Sequence, residues 1–223
     1  MHFCITGGSH GLGESLSIHL LLNNHRVTII DKDTPSVKCT YIQHDFTEYL
    51  TVPVYCDVLV INHATFNGFI PFSNNTQEYV DDYLMINLLS HIHLIKHCKY
   101  SKLVHINSVL SIVSFPNVSL YSASKGFMHS FIESIRREGV PVLSVYPYKI
   151  NTSLFKDVHS PYVLDKDKIS KSIYTSIIHN HTHLYLPRIF KYSYIYTVLP
   201  FFIQNWVISL LYYAMCNDTT IQT

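Results

Sequence analysis

A tyrosine and a lysine four residues apart, Tyr121 and Lys125, are the pair in this sequence best suited to proton transfer. On a helix this spacing places both side chains on one face. An ammonium beside a phenol stabilises the phenolate, so we expect the Tyr121 pKa to fall from about 10 toward neutral pH, where the phenol can exchange a proton. Ser108, at the end of the preceding predicted strand, supplies a hydroxyl donor for a substrate carbonyl. The pair alone is a weak signal, because the chain has 17 tyrosines and the same spacing also lines ordinary helix surfaces.

A glycine-rich turn near the N-terminus predicts a dinucleotide site. Four of the seven glycines lie within residues 7–13, between a predicted strand and a predicted helix. Glycine permits close backbone approach, and the first turn of a helix offers unpaired N–H groups and a positive dipole end to a pyrophosphate. A glycine-rich turn that binds nothing is the alternative. The predicted cofactor-binding residues here are Thr6, Gly7, Ser9, His10, Gly11, Leu12 and Gly13.

Acidic residues at two strand ends bear on which dinucleotide binds. Asp31 lies 18 residues after Gly13, where a carboxylate can accept hydrogen bonds from the adenosine ribose hydroxyls. A carboxylate there repels a 2′-phosphate, so the sequence predicts NAD and makes NADP the less favoured cofactor. Asp45 closes the third strand and is a candidate for the adenine amino group. Asp31 could instead be a solvated loop carboxylate, and His10 and Lys32 could still attract a phosphate.

Seven apolar, β-branched runs predict buried strands. They are His2–Thr6, Arg26–Ile30, Cys39–Gln43, Val58–Ile61, Leu103–Ile106, Val140–Val145 and His183–Leu186. Most are separated by segments with helical spacing, such as Leu12, Leu16 and Leu20 in the first and Phe127, Phe131 and Ile135 in a later one. The alternation predicts an α/β fold, a single Rossmann-like doubly wound parallel sheet of about seven strands with helices on both faces. The link from Asp45 to Val58 is too short for a full crossover helix.

The motifs occur together in the order found in one known family. The turn TGxxxGxG, Asn62-His63-Ala64, Asn87, Ser108 and the Tyr121–Lys125 pair resemble the short-chain dehydrogenase/reductase family over roughly residues 2 to 187. The separation of 13 residues between Ser108 and Tyr121 is similar to that family's spacing. The resemblance implies an NAD(P)-dependent oxidoreductase that interconverts an alcohol and a carbonyl.

The same resemblance implies roles for individual residues. Tyr121 would be the general acid/base, Ser108 would position the reacting oxygen, Lys125 would hold the nicotinamide ribose, and Asn87 would support a proton-relay water. Tyr121 and Lys125 count among the cofactor-binding residues too. The remaining cofactor-binding residues by resemblance are Asn62, His63, Ala64, Pro147, Ile150 and Thr152.

Two departures from the family pattern leave a second function open. The family has Asn-Ala-Gly where this chain has His63-Ala64-Thr65, and Pro-Gly where it has Pro147-Tyr148. Thr65 and Tyr148 could narrow the nicotinamide site or point away from it. A catalytically silent NAD-binding regulatory protein on the same fold is therefore the alternative. A nucleotide-sugar epimerase or dehydratase is disfavoured, because only 71 residues follow Thr152.

The composition bears on the partners and the cellular compartment of the protein. The formal charge is +1, from 16 basic and 15 acidic residues without a basic arm, so no nucleic-acid partner is predicted. The five cysteines include no CxxC pair, which favours a reducing compartment. Residues 1–13 leave no room for a secretory signal, so we expect a cytoplasmic protein. The substrate itself cannot be named from the sequence, although an apolar small molecule is expected.

No metal site is predicted, although the chain has 15 histidines. His93 and His97 have the i,i+4 spacing of two ligands on one helix face, but no third ligand is evident. The family resemblance places this helix in a dimer interface, which implies a homodimer or homotetramer.

The C-terminal segment differs from the rest, because residues 193–216 carry no charge. We therefore divide the chain into a dinucleotide-binding catalytic domain, 1–190, and an apolar helical tail, 191–223. A helix over Phe201–Cys216 would be about 24 Å long, shorter than a bilayer core of about 30 Å. We expect Asn205, Ser209 and Tyr212 or Tyr213 on one side, opposite Phe202, Val207, Ile208, Leu210 and Leu211. This pattern favours peripheral membrane contact through residues 193–216 over a buried helix or a dimer contact.

Overall fold

The computed structural model describes residues 1–156, 158, 160 and 162–216, and these contain one sheet of seven parallel strands. The strands are β1 (His2–Thr6), β2 (Arg26–Asp31), β3 (Thr40–Gln43), β4 (Val58–Ile61), β5 (Lys102–Ile106), β6 (Val142–Pro147) and β7 (His183–Leu186). Their order across the sheet is β3-β2-β1-β4-β5-β6-β7. The strand order reverses at β1 and β4, which is the point where doubly wound sheets bind their ligands.

Helices cover both faces of this sheet. They are α1 (Gly11–Leu22), α2 (Gln77–Leu84), α3 (Ser90–His97), α4 (Ser119–Arg137), α5 (Lys166–Ile178), α6 (Tyr194–Thr197) and α7 (Phe201–Cys216). A wider π-helical turn, Met85–Leu89, joins α2 to α3 without a break. The segment from Asp45 to Val58, all of it described, forms no helix, as its length predicted.

The core consists of two layers, one on each face of the sheet. On one face Leu16 and Leu20 of α1 pack with Ile173 and Ile177 of α5. On the other face Leu94 of α3 packs with Met128 and Ile132 of α4. Strand residues alternate between the two layers, as Ile5 and Cys4 of β1 do. The predicted fold class is therefore confirmed.

Several sequence-based boundaries and faces were wrong. The sixth strand begins at Val142 and continues to Pro147, two residues later at each end than predicted. The predicted helix over Phe127 and Phe131 exists, but Phe127 is 49% exposed. The buried face of α4 carries Ile135, as expected, together with Tyr121, Lys125, Met128 and Ile132. This face is buried because Met128, Ile132 and Ile135 pack on the sheet with Leu103 and Val142.

The predicted faces of the tail helix were also wrong. Tyr212 packs inward beside Ile208, although the two were expected on opposite sides. Phe202 and Leu210 are exposed, and at helical spacing they share the outer face with Asn205 and Ser209. The inner face is selected by an aromatic cluster below it that includes Phe69 and Phe115. That cluster comes from distant parts of the chain, so the tail sequence gave no sign of it.

Candidate active site

The carboxyl ends of the parallel strands meet along one edge of the sheet. Thr6 of β1 pairs with Ile61 of β4, and Ile106 of β5 pairs with Val145 of β6, so the strand ends are nearly level. A cavity of about 1240 Å³ lies along this edge. Of the predicted site residues, those lining it are Gly7, His10, Gly11, Leu12, Asp31, Asp45, Asn62, His63, Ala64, Ser108, Tyr121, Lys125, Pro147, Ile150 and Thr152. Thr6, Ser9, Gly13 and Asn87 lie behind this lining.

The glycine-rich turn is closed tightly onto its own helix. Gly7 has φ +64°, a conformation that side chains resist. A Cβ at Gly13 would lie 2.1 Å from the Gly7 carbonyl oxygen, so no larger residue fits without a backbone shift. The Asn62 side-chain amide donates to the same oxygen at 2.8 Å. The turn thus brings the first residues of α1, Gly11 and Leu12, to the cavity wall.

Asp31 joins this turn to the end of β2. The Ser9 N–H donates to Asp31 Oδ2 at 2.9 Å, and the Asp33 N–H donates to Oδ1 at 3.3 Å. Its side chain lines the cavity and the residue is only 9% exposed, so it is not a solvated loop carboxylate. His10 contacts Asp33 across 3.2 Å, which places an acidic partner beside one of the two candidates for attracting a phosphate.

Asp45 is the more exposed of the two predicted acids. Its Oδ1 accepts a hydrogen bond from the Thr47 N–H at 3.0 Å, which holds the turn after β3. The side chain lines the cavity beyond Asp31. It remains a candidate for the adenosine end of a dinucleotide.

Ser108, Tyr121 and Lys125 meet on the cavity floor. Ser108 follows β5, while Tyr121 and Lys125 lie one helical turn apart on the buried face of α4. Lys125 Nζ donates to the Ile106 carbonyl oxygen at 3.0 Å and lies 5.7 Å from the centre of the Tyr121 ring. Burial raises the pKa of Tyr121 to about 12, and a hydrogen bond with Ser108 opposes this rise.

Desolvation outweighs the expected effect of the lysine on the phenol. Burial also lowers the pKa of Lys125, to about 8, which still leaves its ammonium mostly protonated at neutral pH. The sequence-based expectation of a lowered Tyr121 pKa therefore does not hold in this structure. At neutral pH the phenol carries its proton and can donate it.

Asn87 is fully buried, and its side chain forms hydrogen bonds with backbone groups. Its Oδ1 accepts from the Thr65 N–H at 3.0 Å, while its Nδ2 donates to the carbonyl oxygens of Thr65 and Tyr83, both at 3.2 Å. Asn87 sits in the π-helical turn that joins α2 to α3. Its side chain thus fixes the loop after β4, and it is this loop that borders the cavity.

Thr65 and Tyr148, the residues that replace two glycines of the family pattern, both line the cavity but make different contacts. The Thr65 backbone is held by Asn87, and Thr65 lines the cavity. The Tyr148 ring also lines the cavity and stacks on Phe190 with ring centres 5.4 Å apart. Ser160 Oγ donates to the Tyr148 hydroxyl at 3.2 Å. Tyr148 therefore links the loop after β6 to the segment after β7.

A network of three buried histidines behind the site was not foreseen. His63 contacts Thr6 Oγ1 through Nδ1 at 2.7 Å and Ser90 Oγ through Nε2 at 2.9 Å. His91 contacts the His63 carbonyl oxygen at 3.0 Å and His105 at 3.3 Å. Burial lowers the pKa of all three, that of His91 to about 3, so the network is neutral at neutral pH. His63 was predicted as a cofactor-binding residue, but its contacts with His91 of α3 and His105 of β5 join distant parts of the chain, so no local sequence pattern predicts the network.

Two further cavity residues also escaped the sequence-based prediction. Phe46 stacks on His63 with ring centres 3.6 Å apart. Asn107 precedes Ser108 and is buried, and its Nδ2 has no hydrogen-bond partner among the described residues. A buried amide donor without a partner is costly unless a ligand accepts from it. The position of Asn107 at the end of a strand, beside Ser108, was the signal that could have identified it.

The rest of the cavity wall is apolar and aromatic. Phe66 and Phe155 contact the Tyr121 ring edge-on, with ring centres 5.2 and 6.2 Å away. Phe115 continues this wall, and Val207 and Leu211 of α7 also line the cavity. The tail therefore contributes to the site itself.

His93 and His97, considered above as metal ligands, lie away from this cavity. Their ring centres are 4.4 Å apart, and His93 Nε2 contacts the Leu50 carbonyl oxygen at 2.9 Å. Among the described residues, no group of three or more histidine, cysteine, aspartate or glutamate side chains could hold a metal ion.

A doubly wound sheet with a glycine-rich turn at its switch point and a Ser-Tyr-Lys set on the cavity floor defines a nicotinamide-dinucleotide-dependent class of protein. A family model described as short chain dehydrogenase matches residues 54–162. This match, which covers just under half of the chain, confirms the predicted resemblance to the short-chain dehydrogenase/reductase family.

Comparisons with curated proteins agree with this assignment. An uncharacterized oxidoreductase of Saccharomyces cerevisiae, TDA5, is 27% identical over 187 residues, covering 70% of this chain and 57% of the yeast protein. A second uncharacterized yeast oxidoreductase, YDL114W, is 26% identical and covers 89% of this chain and 75% of its own length. The chain thus spans little more than half the length of the first of these relatives.

Solved structures show the same fold at low identity. A short-chain dehydrogenase from Sphingobium yanoikuyae in complex with NADPH has a TM-score of 0.71 and 17% identity, covering 84% of this chain and 88% of its own. The 3-ketoacyl-(acyl-carrier-protein) reductase of Brucella melitensis complexed with NADH has a TM-score of 0.68 and 17% identity, covering 82% and 95%. These structures show a shared fold, and the family-model match agrees with the predicted enzyme class, a short-chain dehydrogenase/reductase.

Proposed function

We propose that this protein is an NAD-dependent oxidoreductase that interconverts an alcohol and a carbonyl on an apolar small molecule. The observation that carries the proposal is the arrangement of one cavity. The glycine-rich turn and Asp31 lie at one end, Ser108, Tyr121 and Lys125 form its floor, and aromatic walls surround the Tyr121 ring.

The residues of the turn fit a dinucleotide. The Gly7–Gly13 contact closes the turn tightly onto the start of α1, whose first N–H groups are suited to binding a pyrophosphate. Asp31 retains free lone pairs for ribose hydroxyls beyond the two backbone donors it accepts. The buried carboxylate would repel a 2′-phosphate, which supports NAD over NADP.

In the reducing direction Tyr121 is the proton donor. Its phenol is protonated at neutral pH and faces the cavity, so it can donate to a carbonyl oxygen as that oxygen gains negative charge. The Ser108 hydroxyl positions the same oxygen. The Lys125 side chain is fixed on the cavity floor by its hydrogen bond to the Ile106 carbonyl oxygen. The bound nicotinamide supplies the hydride. Asn87 fixes the loop after β4, so we assign it a positioning role, through the backbone of Thr65.

The walls around Tyr121 define the substrate class. Phe66 and Phe155 pack against the phenol ring, and Phe69 and Phe115 extend this apolar surface toward α7. A sugar would leave most of its hydroxyls unpaired against these rings, at a cost of about 1–3 kcal/mol for each buried group. The substrate we propose therefore has one reactive alcohol or carbonyl flanked by hydrocarbon.

We further propose that the protein is cytoplasmic, forms a homodimer or homotetramer, and contacts a membrane peripherally through residues 193–216. Cys4, Cys39, Cys56 and Cys98 are free thiols, which suits a reducing compartment. Among the described residues, no helix is long and apolar enough to cross a bilayer.

The test of the catalytic assignment is a matched pair of Tyr→Phe variants. Tyr121→Phe should lower turnover of an apolar ketone with NADH by about a hundredfold or more, because it removes the proton donor. Binding of NADH should change little. Tyr83→Phe is the control, since Tyr83 is buried in the same aromatic cluster and its hydroxyl has no partner among the described residues. Wild-type turnover by Tyr121→Phe would remove Tyr121 from the reaction.

A further inference from the structure

The helix α7 has an inner face that belongs to the active site. Val207 and Leu211 line the cavity, and Ile208 and Tyr212 pack on the cluster that includes Phe115. Asn117 Nδ2 donates to the Tyr212 hydroxyl at 2.7 Å. The helix is therefore docked on the catalytic domain by half of its circumference.

The outer face of α7 is apolar as well, and among the described residues nothing covers it. Phe202 is 73% exposed, Trp206 64% and Tyr213 69%. The exposed apolar residues continue back along the chain through α6 to the turn after β7. We call this set the tail surface: Ile189, Tyr192, Ile195, Val198, Phe201, Phe202, Trp206, Leu210 and Tyr213.

The cavity opens at the tail surface. Ile189 and Tyr192 line the cavity and are also 67% and 53% exposed, and Leu211 lines it while 47% exposed. A side chain that both lines a cavity and faces outward forms its rim. A molecule that enters the cavity between these residues must come from the environment that covers the tail surface.

The charged residues within the segment that carries the tail surface are basic, because no aspartate or glutamate occurs from Lys168 to Cys216. The Glu133 carboxylate of α4 lies near Tyr194. Arg188 and Lys191 are exposed beside Ile189 and Tyr192, at the rim of the cavity. Aromatic residues with a basic border match the headgroup region of an anionic bilayer, where rings insert and cations meet lipid phosphates.

We propose that the tail surface lies on an anionic lipid bilayer and that the cavity takes its substrate directly from that bilayer. The delivery step rests on the proposed function, and it makes the substrate a membrane-resident alcohol or ketone. The 16 residues of α7 allow the helix to lie in the interface but, at about 24 Å, are too short to cross it. A second copy of the chain would cover the rim and close the entrance.

The single tryptophan of the chain, Trp206, lies in the tail surface and reports the contact without a label. Vesicles of phosphatidylcholine and phosphatidylserine should shift its emission to the blue, and lipids brominated in the acyl chain should quench it. Phe202→Gln with Leu210→Gln should weaken vesicle binding about tenfold or more. Arg188→Gln with Lys191→Gln should weaken binding to anionic vesicles and leave weak binding to pure phosphatidylcholine unchanged.

Leu22→Gln is the matched control, because Leu22 is 76% exposed at the end of α1, at the opposite edge of the sheet. It should bind vesicles as the wild type does. Absence of quenching, or equal binding by all variants, would overturn the lipid contact. A blue shift that grows with protein concentration without vesicles, and is lost in Phe202→Gln, would overturn it in favour of a second copy.

The delivery step is tested separately. With wild-type protein, turnover of a long-chain ketone should follow its mole fraction in the vesicles rather than its bulk concentration. If a water-soluble ketone is turned over and the vesicle-bound one is not, delivery from the bilayer is wrong while the proposed function stands. If neither ketone reacts, the proposed function and the delivery step both fail, and Trp206 quenching alone decides the lipid contact. Tyr121→Phe should bind vesicles like the wild type in every case.

Discussion

At the scale of single residues, Asp31 is the side chain that we propose favours NAD over NADP. Its carboxylate is held by the N–H groups of Ser9 and Asp33, so it cannot turn away from an incoming phosphate. Of the two side chains that could attract a 2′-phosphate, His10 faces Asp33, and Lys32 lines the cavity beside Asp31. The position of this carboxylate therefore supports the proposed preference for NAD independently of its spacing from the glycines.

We predict that NAD(H) binds about tenfold or more tightly than NADP(H), a difference of about 1.4 kcal/mol. Asp31→Asn keeps an oxygen for the Ser9 N–H and removes the charge, so it should narrow the preference while NAD(H) still binds. Titration of both cofactors by calorimetry measures this directly. Equal affinities in the wild type would place Asp31 outside the adenosine site.

At the scale of elements, the junction of β1 with α1 depends on the absence of a side chain at Gly13. Gly13→Ala would place a Cβ against the Gly7 carbonyl oxygen and the Asn62 amide, so the turn must open. We predict that NADH affinity falls about tenfold or more, because the first N–H groups of α1 leave their positions.

Gly126→Ala is the matched helix control. A Cβ there would lie 3.5 Å from the Ser111 carbonyl oxygen, an ordinary contact. This variant should retain cofactor affinity and gain about 0.5–1 kcal/mol of stability, since glycine weakens a helix. Unchanged NADH binding by folded Gly13→Ala, checked by its melting temperature, would contradict the account of the turn.

The strands and most helices were predictable from the sequence, but the buried faces of the helices were harder to predict. Apolar runs identified all seven strands, and parallel topology then placed Asp31 and Ser108 at one edge, because the carboxyl ends of parallel strands coincide. The buried face of α4 and the inner face of α7 depend on which distant residues they meet. For the same reason Phe66, Phe155 and the stacked Tyr148 could not be assigned to the cavity from local sequence patterns.

At the scale of the whole molecule, the buried histidine network makes stability depend on pH. The folded-state pKa values of His63, His91 and His105 lie below the ordinary 6.5, chiefly because of burial and also because Lys125 is nearby. The unfolded chain therefore binds protons first as the pH falls. The contribution is complete above pH 6.5 and is lost progressively below it, down to the folded-state pKa values.

We predict that the free energy of unfolding falls between pH 7 and 5.5 with a slope of up to about 1.4 kcal/mol per pH unit for each histidine. His91→Gln should reduce this slope by up to about 1.4 kcal/mol per pH unit. This expectation holds even if the substitution changes the free energy of unfolding at pH 7. Urea unfolding at several pH values gives these slopes, and identical slopes for the wild type and His91→Gln would show that the network does not titrate on unfolding.

The central claim, that this cavity carries out hydride chemistry on a carbonyl, is tested most directly by isotope transfer. NADH deuterated at C4 of the nicotinamide on the transferring face is incubated with wild-type protein and an apolar ketone, and the product alcohol is analysed by mass spectrometry. We predict one deuterium on the former carbonyl carbon of each alcohol molecule, because the hydride moves directly within the cavity. Alcohol that carries no deuterium with either labelled face of NADH, or no alcohol at all from any apolar ketone despite bound NADH, would contradict the account.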